Sequence, residues 1–178
     1  MRTCPVPLTA APGLLEHYVK KILAAPVYDV AVRTPLQVAP ALSLLLDNHV
    51  LLKREDLQPT FSFKIRGAYN KLMQLRAEQK ACGVITASAG NHAQGVALAA
   101  RELGIKATIV MPRSTPELKV LGVRSRGAHA VLHGESFPFA LAHALQLAEA
   151  CGCTFVSPFD DPDVIASRAR EERRAEAS

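Results

Sequence analysis

The sequence predicts an α/β fold with a parallel sheet and helices on both faces of that sheet. From residue 83 onward, short apolar segments alternate with longer amphipathic segments. Each longer segment closes on a glycine, at Gly104, Gly127 and Gly152, and glycine commonly ends helices. Strands that alternate with helices form right-handed βαβ units and hence a parallel sheet.

Two elements are predicted before this alternation begins. Residues 12–25 are predicted to form an amphipathic helix, because Leu14, Tyr18 and Ile22 recur on one helical face. The segment HVLLKRED at 49–56 indicates a strand.

A further helix is predicted from SFKIRGAYNKL, residues 62–72, after the loop LQPTF. Lys64 lies in the first turn of this helix. Its apolar residues recur at helical spacing, and we expect them to pack the helix against the sheet. They are Ile65, Ala68, Tyr69 and Leu72.

The alternating region supplies four strands and three helices. The strands are predicted at GVITAS, KATIVMP, AHAVLHG and CTFVS, and the helices at 91–104, 114–127 and 136–152. Ser114 or Thr115 is expected to cap the second of these helices, with Pro116 in its first turn. Glu117 lies three residues after Ser114, the spacing of a capping box. Open parallel sheets bind ligands beyond the carboxyl ends of their strands.

Composition argues against several classes of function. Apolar residues make up 49% of the chain and charged residues 21%, which is typical of a globular protein. The net charge of +5 comes from scattered Lys and Arg, so no nucleic-acid partner is predicted. No apolar run reaches the roughly 18 residues of a membrane helix, and no signal peptide is recognisable. We therefore expect a cytoplasmic protein with no membrane partner.

Cysteine and histidine positions predict no metal site. The CGC spacing is not that of a metal knuckle, so neither a zinc site nor a disulfide framework is indicated. His129 and His133 lie four residues apart on one face of a predicted strand, without a third ligand. The four cysteines are Cys4, Cys82, Cys151 and Cys153.

The segment SAGNHAQG at 88–95 connects a buried strand to an alanine-rich helix. Ser88, Ala89 and Gly90 carry little side chain, so a ligand can approach the backbone closely. The helix that follows begins with unpaired N–H groups and a positive dipole end, which favour a carboxylate or a phosphate. An ordinary tight turn with a polar cap is the alternative, and the segment matches neither common nucleotide-binding motif.

Lys64 is placed where its amine is disfavoured as a cation. It meets the positive end of the helix dipole, and partial burial adds to that effect. A neutral amine is what Schiff-base formation with an aldehyde requires, and Arg66 and Lys71 are expected to add like-charge repulsion. The alternative is a solvated surface lysine. The occurrence of Lys64 together with the loop at 88–92 counts against this alternative.

The stretches KREDLQPTFSFKIRGAYNKL and ASAGNHAQGVALAA together resemble the biosynthetic threonine dehydratases. These are fold type II (tryptophan-synthase-β-like) pyridoxal-phosphate enzymes. MPRSTPELKV, GAHAVLHGESF and SPFDDPDVIA fit the same family, and the resemblance runs from about residue 12 to 166. The S-F-K and S-x-G-N-H pair is shared with serine dehydratases and serine racemases, but the longer first motif favours the threonine enzymes.

The resemblance implies pyridoxal 5'-phosphate as cofactor. Lys64 would hold it covalently and later move the substrate's α-proton. Phe63 would pack near the cofactor, and Asn91 would hydrogen-bond the phenolic oxygen of its ring.

The resemblance also implies an amino-acid substrate, L-threonine, which loses water and yields 2-oxobutanoate and ammonia in isoleucine biosynthesis. Ala89 stands where racemases of this group have a serine, which favours elimination. The full-length family also makes a homo-oligomer possible. The substrate carboxylate would lie largely against backbone amides of Ser88, Gly90, Asn91 and His92.

The resemblance further predicts the domain organisation. Residues 1–54 would be an incomplete N-terminal segment of the larger domain, and 55–158 the smaller α/β domain that carries the lysine and the loop. Residues 159–178 would begin the larger domain and then diverge into a charged tail. The family continues past DDPDVIA with glycine-rich segments that hold the cofactor phosphate, whereas SRAREERRAEAS stands here.

The sequence therefore predicts a chain truncated after about residue 166, by a frame slip or as a fragment. Little or no turnover is expected, together with exposed apolar surface on the first helix and on HVLLKRED. Two alternatives stay open. One is a non-catalytic small-domain remnant that binds a carboxylate or a partner subunit. The other is a serine dehydratase or racemase relative, although Ala89 counts against the racemase.

Overall fold

The computed structural model describes residues 13–167, and its first part combines helices with a small antiparallel sheet. The predicted helix at 12–25 and the strand within HVLLKRED are confirmed. A strand at Leu36–Val38 and a helix at Pro40–Leu46 were not predicted, because three strand residues and two helical turns are too short to show a period. In order, these elements are α1 (Leu14–Ala24), β1 (Leu36–Val38), α2 (Pro40–Leu46) and β2 (Leu51–Lys53).

The rest of the described chain forms one parallel sheet covered by helices, as predicted. Its helices are α3 (Lys64–Met73), α4 (Ala77–Cys82), α5 (Asn91–Glu102), α6 (Glu117–Arg124) and α7 (Phe137–Cys151). Its strands are β3 (Val84–Ala87), β4 (Ala107–Met111), β5 (His129–Leu132) and β6 (Thr154–Phe155). The strand order is β5–β4–β3–β6, all parallel. Since β6 pairs with β3, the segments that follow these two strands lie side by side.

Helices lie on both faces of the sheet. Residues of α3, α5 and α6 share one buried apolar cluster with strand residues such as Val84 and Ile109. Helix α7 covers the opposite face, where small side chains allow close packing against Ile85 and Val110. Three alanines spaced four residues apart form that stripe: Ala140, Ala144 and Ala148.

The apolar stripe of α3 packs mainly against α5, which corrects the expectation that it would fix the helix to the sheet. The two backbones come very close at Gly95. A Cβ built there would lie 3.0 Å from the carbonyl oxygen of Lys64 and 3.2 Å from the amide nitrogen of Ile65. The α3–α5 contact is therefore a main-chain contact as well as a packing of side chains.

The predicted cap of α6 is wrong. Pro116 occupies the N-cap position with an extended ψ of 138°, and no side chain caps the helix. Thr115 instead closes a turn, in which its N–H donates to the Pro112 carbonyl at 3.0 Å. The Thr115 hydroxyl is buried and has no hydrogen-bond partner among residues 13–167.

The cysteines also differ from expectation. Cys151 and Cys153 form a disulfide around Gly152. The left-handed conformation of Gly152, with φ of 66°, ends α7 and leaves the two Cα atoms 5.3 Å apart, a distance typical of disulfides. Cys82 is a free, exposed thiol, and Cys4 lies outside the described residues.

The two histidines predicted on one strand face separate, because β5 ends before His133. The His133 ring stacks instead on His143 of α7, with 3.8 Å between centroids. Within the described range, no cluster of three or more His, Cys, Asp or Glu side chains is placed to hold a metal ion. Nor does any helix of that range have the length and apolarity to cross a membrane.

Leucines on the first elements are exposed, as expected for the first helix and HVLLKRED. At the other end, residues 162–167 are helical, and the predicted charged tail lies outside the described residues. The exposed leucines are Leu14, Leu15 and Leu23 on α1, Leu42, Leu44, Leu45 and Leu46 on α2, and Leu51 and Leu52 on β2.

Candidate active site

Lys64 and the loop at 88–92 meet in one cavity of about 390 Å³. The cavity lies beyond the carboxyl ends of β3 and β6, the edge at which parallel sheets bind ligands. Gly90, the N-cap of α5, is the one predicted loop residue that does not line it. The lining residues foreseen from the sequence are Lys64, Ser88, Ala89, Asn91 and His92.

The lysine amine is held among a carbonyl and two aromatic rings. Lys64 Nζ donates to the carbonyl oxygen of Pro158 at 2.8 Å. It lies 5.6 Å from the ring centroid of Phe63 and 5.3 Å from that of Phe159, distances at which an aromatic face attracts a cation. The backbone N–H of Lys64 donates to Ser62 Oγ at 3.2 Å, which satisfies one of the amides at the start of α3.

The neighbouring cations do not act on Lys64 as expected. Arg66 Nε donates to Glu55 Oε2 at 2.8 Å. Lys71 Nζ lies 2.7 Å from a carboxylate oxygen of Asp161 and 3.3 Å from one of Asp163. Because carboxylates offset both charges, the expected like-charge repulsion is not supported.

The loop that opens α5 is organised by Ser88. Its hydroxyl oxygen accepts hydrogen bonds from the backbone N–H groups of Gly90 at 3.2 Å and of Ala93 at 3.3 Å. The first-turn amides of Asn91 and His92 have no residue four positions back within the helix to bond with. They therefore form the positive helix end that a carboxylate can occupy.

The side chain of His92 points into the protein interior and holds the segment after β6. It is 3% exposed, and its Nε2 lies 3.2 Å from the carbonyl oxygen of Val156. The same oxygen accepts the hydroxyl of Thr86 at 2.7 Å. Since the partner is a carbonyl, Nε2 carries the proton, and Nδ1 is buried without a hydrogen-bond partner in the described part of the chain.

Burial makes His92 a neutral imidazole. Desolvation and, to a smaller extent, the charge of Lys64 lower the pKa of His92 to about 4, against the opposing effect of the hydrogen bond to Val156. A neutral ring avoids placing a second positive charge beside the lysine amine.

A titration of stability should reveal this buried imidazole. The pKa of His92 falls from 6.5 in the unfolded chain to about 4 in the folded protein, so between these pH values the unfolded chain binds more protons. The free energy of unfolding should therefore fall by up to about 3 kcal/mol as the pH drops across this window. In His92→Gln this contribution should disappear. Urea denaturation of both proteins from about pH 7 to pH 4 measures the difference, and equal pH slopes would contradict it.

Four cavity residues were not predicted as site residues: Ala87, Phe137, Pro158 and Phe159. Pro158 and Phe159 directly follow the predicted strand CTFVS, but the sequence analysis gave them no role in the site. What the sequence did not reveal is that β6 pairs with β3. This pairing brings Pro158 and Phe159 to Lys64.

Comparison with known proteins identifies similar chains. The biosynthetic L-threonine dehydratase IlvA of Pasteurella multocida is 56% identical over 152 residues, which are 85% of this chain and 30% of that protein. IlvA of Escherichia coli K12 is 54% identical over 162 residues, or 91% and 31% of the two chains. This chain thus spans about a third of the length of these curated relatives.

Solved structures also match this chain. The processed form of threonine deaminase isoform 2 from Solanum lycopersicum matches with a TM-score of 0.86 and 50% identity, covering 90% of this chain and 45% of that one. Maize serine racemase matches with a TM-score of 0.84 and 30% identity, covering 90% and 49%.

One family model covers most of the chain and includes the lysine, the loop and the segment after β6. It is the model described as "Pyridoxal-phosphate dependent enzyme", and it matches residues 27–170. The chain belongs to the pyridoxal-phosphate dependent enzyme family.

Proposed function

We propose that this chain carries the lysine-bearing part of a pyridoxal-phosphate-dependent threonine ammonia-lyase, which converts L-threonine to 2-oxobutanoate and ammonia. One observation carries the proposal: the amine of Lys64 lines the same cavity as the first turn of α5. The names of the relatives, threonine dehydratase and threonine deaminase, support the choice of substrate.

The cavity residues fit the reactive end of pyridoxal phosphate. Lys64 offers an amine to its carbonyl carbon, and the rings of Phe63 and Phe159 lie 5.6 and 5.3 Å from that amine. Asn91 lines the same cavity with a side-chain amide that can bond an oxygen of the ring. Lys64, Phe63 and Asn91 would therefore hold the group. When bound, it withdraws electrons from the α-carbon of the substrate.

The start of α5 is suited to the substrate carboxylate. Ser88 fixes the loop through two backbone amides. The amides of Asn91 and His92 then face a negative group at the positive helix end, where each such interaction contributes roughly 0.3 to 1 kcal/mol. This arrangement orients the α-carbon relative to Lys64.

Lys64 is the group that moves the proton. Its Nζ would take the α-proton, and the hydroxyl on the β-carbon would leave with that proton as one molecule of water. The product that remains tautomerises and hydrolyses to 2-oxobutanoate and ammonia. Ala89 has a methyl group and no proton to give, so the loop offers no donor at this position, which supports elimination over racemisation.

The proposal extends to biological context and domain organisation. The word "biosynthetic" in the names of the relatives supports a role in isoleucine biosynthesis, with the cytoplasm as the proposed location. The proposed domain boundaries stay at residues 54 and 158. The exposed leucines of α1, α2 and β2 support a face that a further part of a larger domain covers.

The test is a product assay on the purified chain with pyridoxal phosphate. In keeping with the low turnover expected from the sequence, L-threonine should give 2-oxobutanoate only slightly above the background of free cofactor, and Lys64→Ala should remove this excess. L-Serine is the matched substrate, and its two possible products, pyruvate and D-serine, are both measured. More pyruvate than 2-oxobutanoate would favour a serine dehydratase, and D-serine a racemase. No Lys64-dependent product would favour the non-catalytic alternative.

A further inference from the structure

A second cavity, of about 250 Å³, adjoins the lysine cavity and shares Asn91 with it. It lies between the loop before α3 and helix α6, and the proposed reaction does not use it. We call it the Arg126 cavity. Besides Asn91, the residues that matter here are Thr60, Phe61, Gln94, Leu118, Lys119 and Arg126.

The lining of the Arg126 cavity is cationic. It includes Arg126 and Lys119 and no Asp or Glu. Neither cation forms an ion pair within residues 13–167. Burial lowers the pKa of Arg126, and the nearby charge of Arg101 lowers it further. This is the direction expected for a cation that lacks a counter-ion.

The guanidinium of Arg126 is fixed by neutral oxygens alone. Its Nη1 donates to Gln94 Oε1 at 2.9 Å and to the Gly122 carbonyl at 2.6 Å, and its Nη2 donates to the Pro59 carbonyl at 3.3 Å. A guanidinium has five N–H donors, so Nε–H and one Nη2–H have no acceptor in the described part of the chain. The nitrogens Nε and Nη2 share one edge of the group, and such an edge, or fork, binds a carboxylate with two parallel hydrogen bonds.

Gln94 makes this arrangement rigid. It is 7% exposed, and its Nε2 donates to the Lys119 carbonyl at 2.9 Å while its Oε1 accepts from Arg126. Gly122 leaves the room that this side chain needs, since a Cβ there would lie 2.7 Å from Gln94 Oε1. A preorganised cation loses less entropy when a ligand binds.

The other walls of the cavity are apolar. Phe61 is 77% exposed and has a φ of 54°, a conformation that costs of order 1 kcal/mol or more in a bulky residue and persists most often at functional sites. Leu118 is 79% exposed. A ligand that suits both walls and the fork is an anion with a short hydrocarbon chain.

We propose that the Arg126 cavity binds a short-chain aliphatic carboxylate. The fork of Arg126 holds the carboxylate, and Phe61 and Leu118 contact its hydrocarbon end. The site is distinct from the substrate position at the start of α5 and does not rest on the proposed reaction. Because Gln94 follows Asn91 by three residues on α5, a ligand here lies beside the lysine cavity.

The test is a titration of the full chain with sodium butanoate at constant ionic strength, followed by ¹H–¹⁵N chemical shifts. Butanoate has no amine and no ketone or aldehyde, so it does not react with lysine. We expect saturable shifts that include the Gln94 side-chain amide. Arg126→Gln should raise the Kd at least about tenfold, since hydrogen bonds to a charged group are lost. Arg124→Gln changes an exposed arginine at the end of α6, outside the cavity, and should leave the Kd unchanged.

A second pair of variants covers the case in which Arg126→Gln does not fold. Leu118→Glu changes an exposed residue and brings a carboxylate to the fork, so it should abolish the shifts. Leu121→Glu, on the same helix and outside the cavity, should retain them. Butanoate shifts that survive both Arg126→Gln and Leu118→Glu, or that never saturate, overturn the proposal. The proposal is also overturned if the butanoate shifts are lost only in Lys64→Ala, because that result would place the ligand in the lysine cavity.

Discussion

Replacement of Lys64 by alanine is expected to abolish the capture of pyridoxal phosphate by this chain. The amine of Lys64 lies in the cavity, fixed by Pro158 and between two aromatic rings, and no other lysine lines that cavity. Borohydride reduction of the chain mixed with the cofactor, followed by peptide mass mapping, should locate the adduct at Lys64 in the parent. In the variant, labelling should fall to the background of exposed lysines.

Lys106→Ala is the matched control, because Lys106 is an exposed lysine in the turn before β4. In Lys106→Ala, the labelling of Lys64 should equal the labelling of Lys64 in the parent chain. Labelling spread evenly over many lysines and unchanged in Lys64→Ala would mean that the site does not select the cofactor. The non-catalytic alternative would then be preferred, and the butanoate experiment would be unaffected.

Replacement of Glu55 by glutamine is expected to cause the largest loss of stability. Glu55 pairs with Arg66, whose side chain is 1% exposed, at 2.8 Å. Glutamine keeps the shape but removes the negative charge that faces the buried guanidinium of Arg66. Breaking one side of a buried pair costs roughly 3 to 5 kcal/mol. Urea denaturation monitored by circular dichroism measures this change in the free energy of unfolding.

Glu16→Gln is the control for the Glu55 variant. Glu16 pairs with Lys20 on α1, but both side chains are at least 70% exposed. Solvent screens such a pair, and we expect its removal to cost less than about 0.5 kcal/mol. Equal losses in the two variants would contradict the argument from burial.

The ion pair between Glu55 and Arg66 also shows why the buried polar contacts of the motif KREDLQPTFSFKIRGAYNKL were not predicted from the sequence. Glu55 accepts hydrogen bonds from Thr34 and Gln58, and Gln58 bonds both backbone groups of Val32. These contacts tie the segment before β1 to α3. Polar residues spaced along a loop carry no period, so nothing in the sequence distinguishes a buried network from a solvated surface.

The helices α5, α6 and α7 and the sheet between them could be predicted because apolar segments alternate with longer amphipathic segments that close on a glycine. The short elements β1, α2 and α4 could not, since three strand residues or about two helical turns are too short to show a period. Strand order also lay beyond the sequence, because pairing between β3 and β6 depends on contacts that are distant along the chain.

The site was predictable to the extent that it is local. Lys64 and the loop at 88–92 each stand at the start of a helix, and this position together with the two motifs led to the chemistry predicted for them. His92 shows the limit of this reasoning. The sequence places it in the loop, but only the fold shows that its ring is buried and bonded to Val156.

The contact at Gly95 bears on how this protein can change over evolutionary time. Because the backbones of α5 and α3 come close there, the spacing between the lysine helix and the loop helix depends on main-chain contact as well as on side-chain volume. A Cβ at position 95 would require the backbone at Lys64 and Ile65 to move by a few tenths of an ångström. A substitution there therefore acts directly on the position of the reactive lysine, whereas a change in the size of Leu72 acts first on the packing of the core.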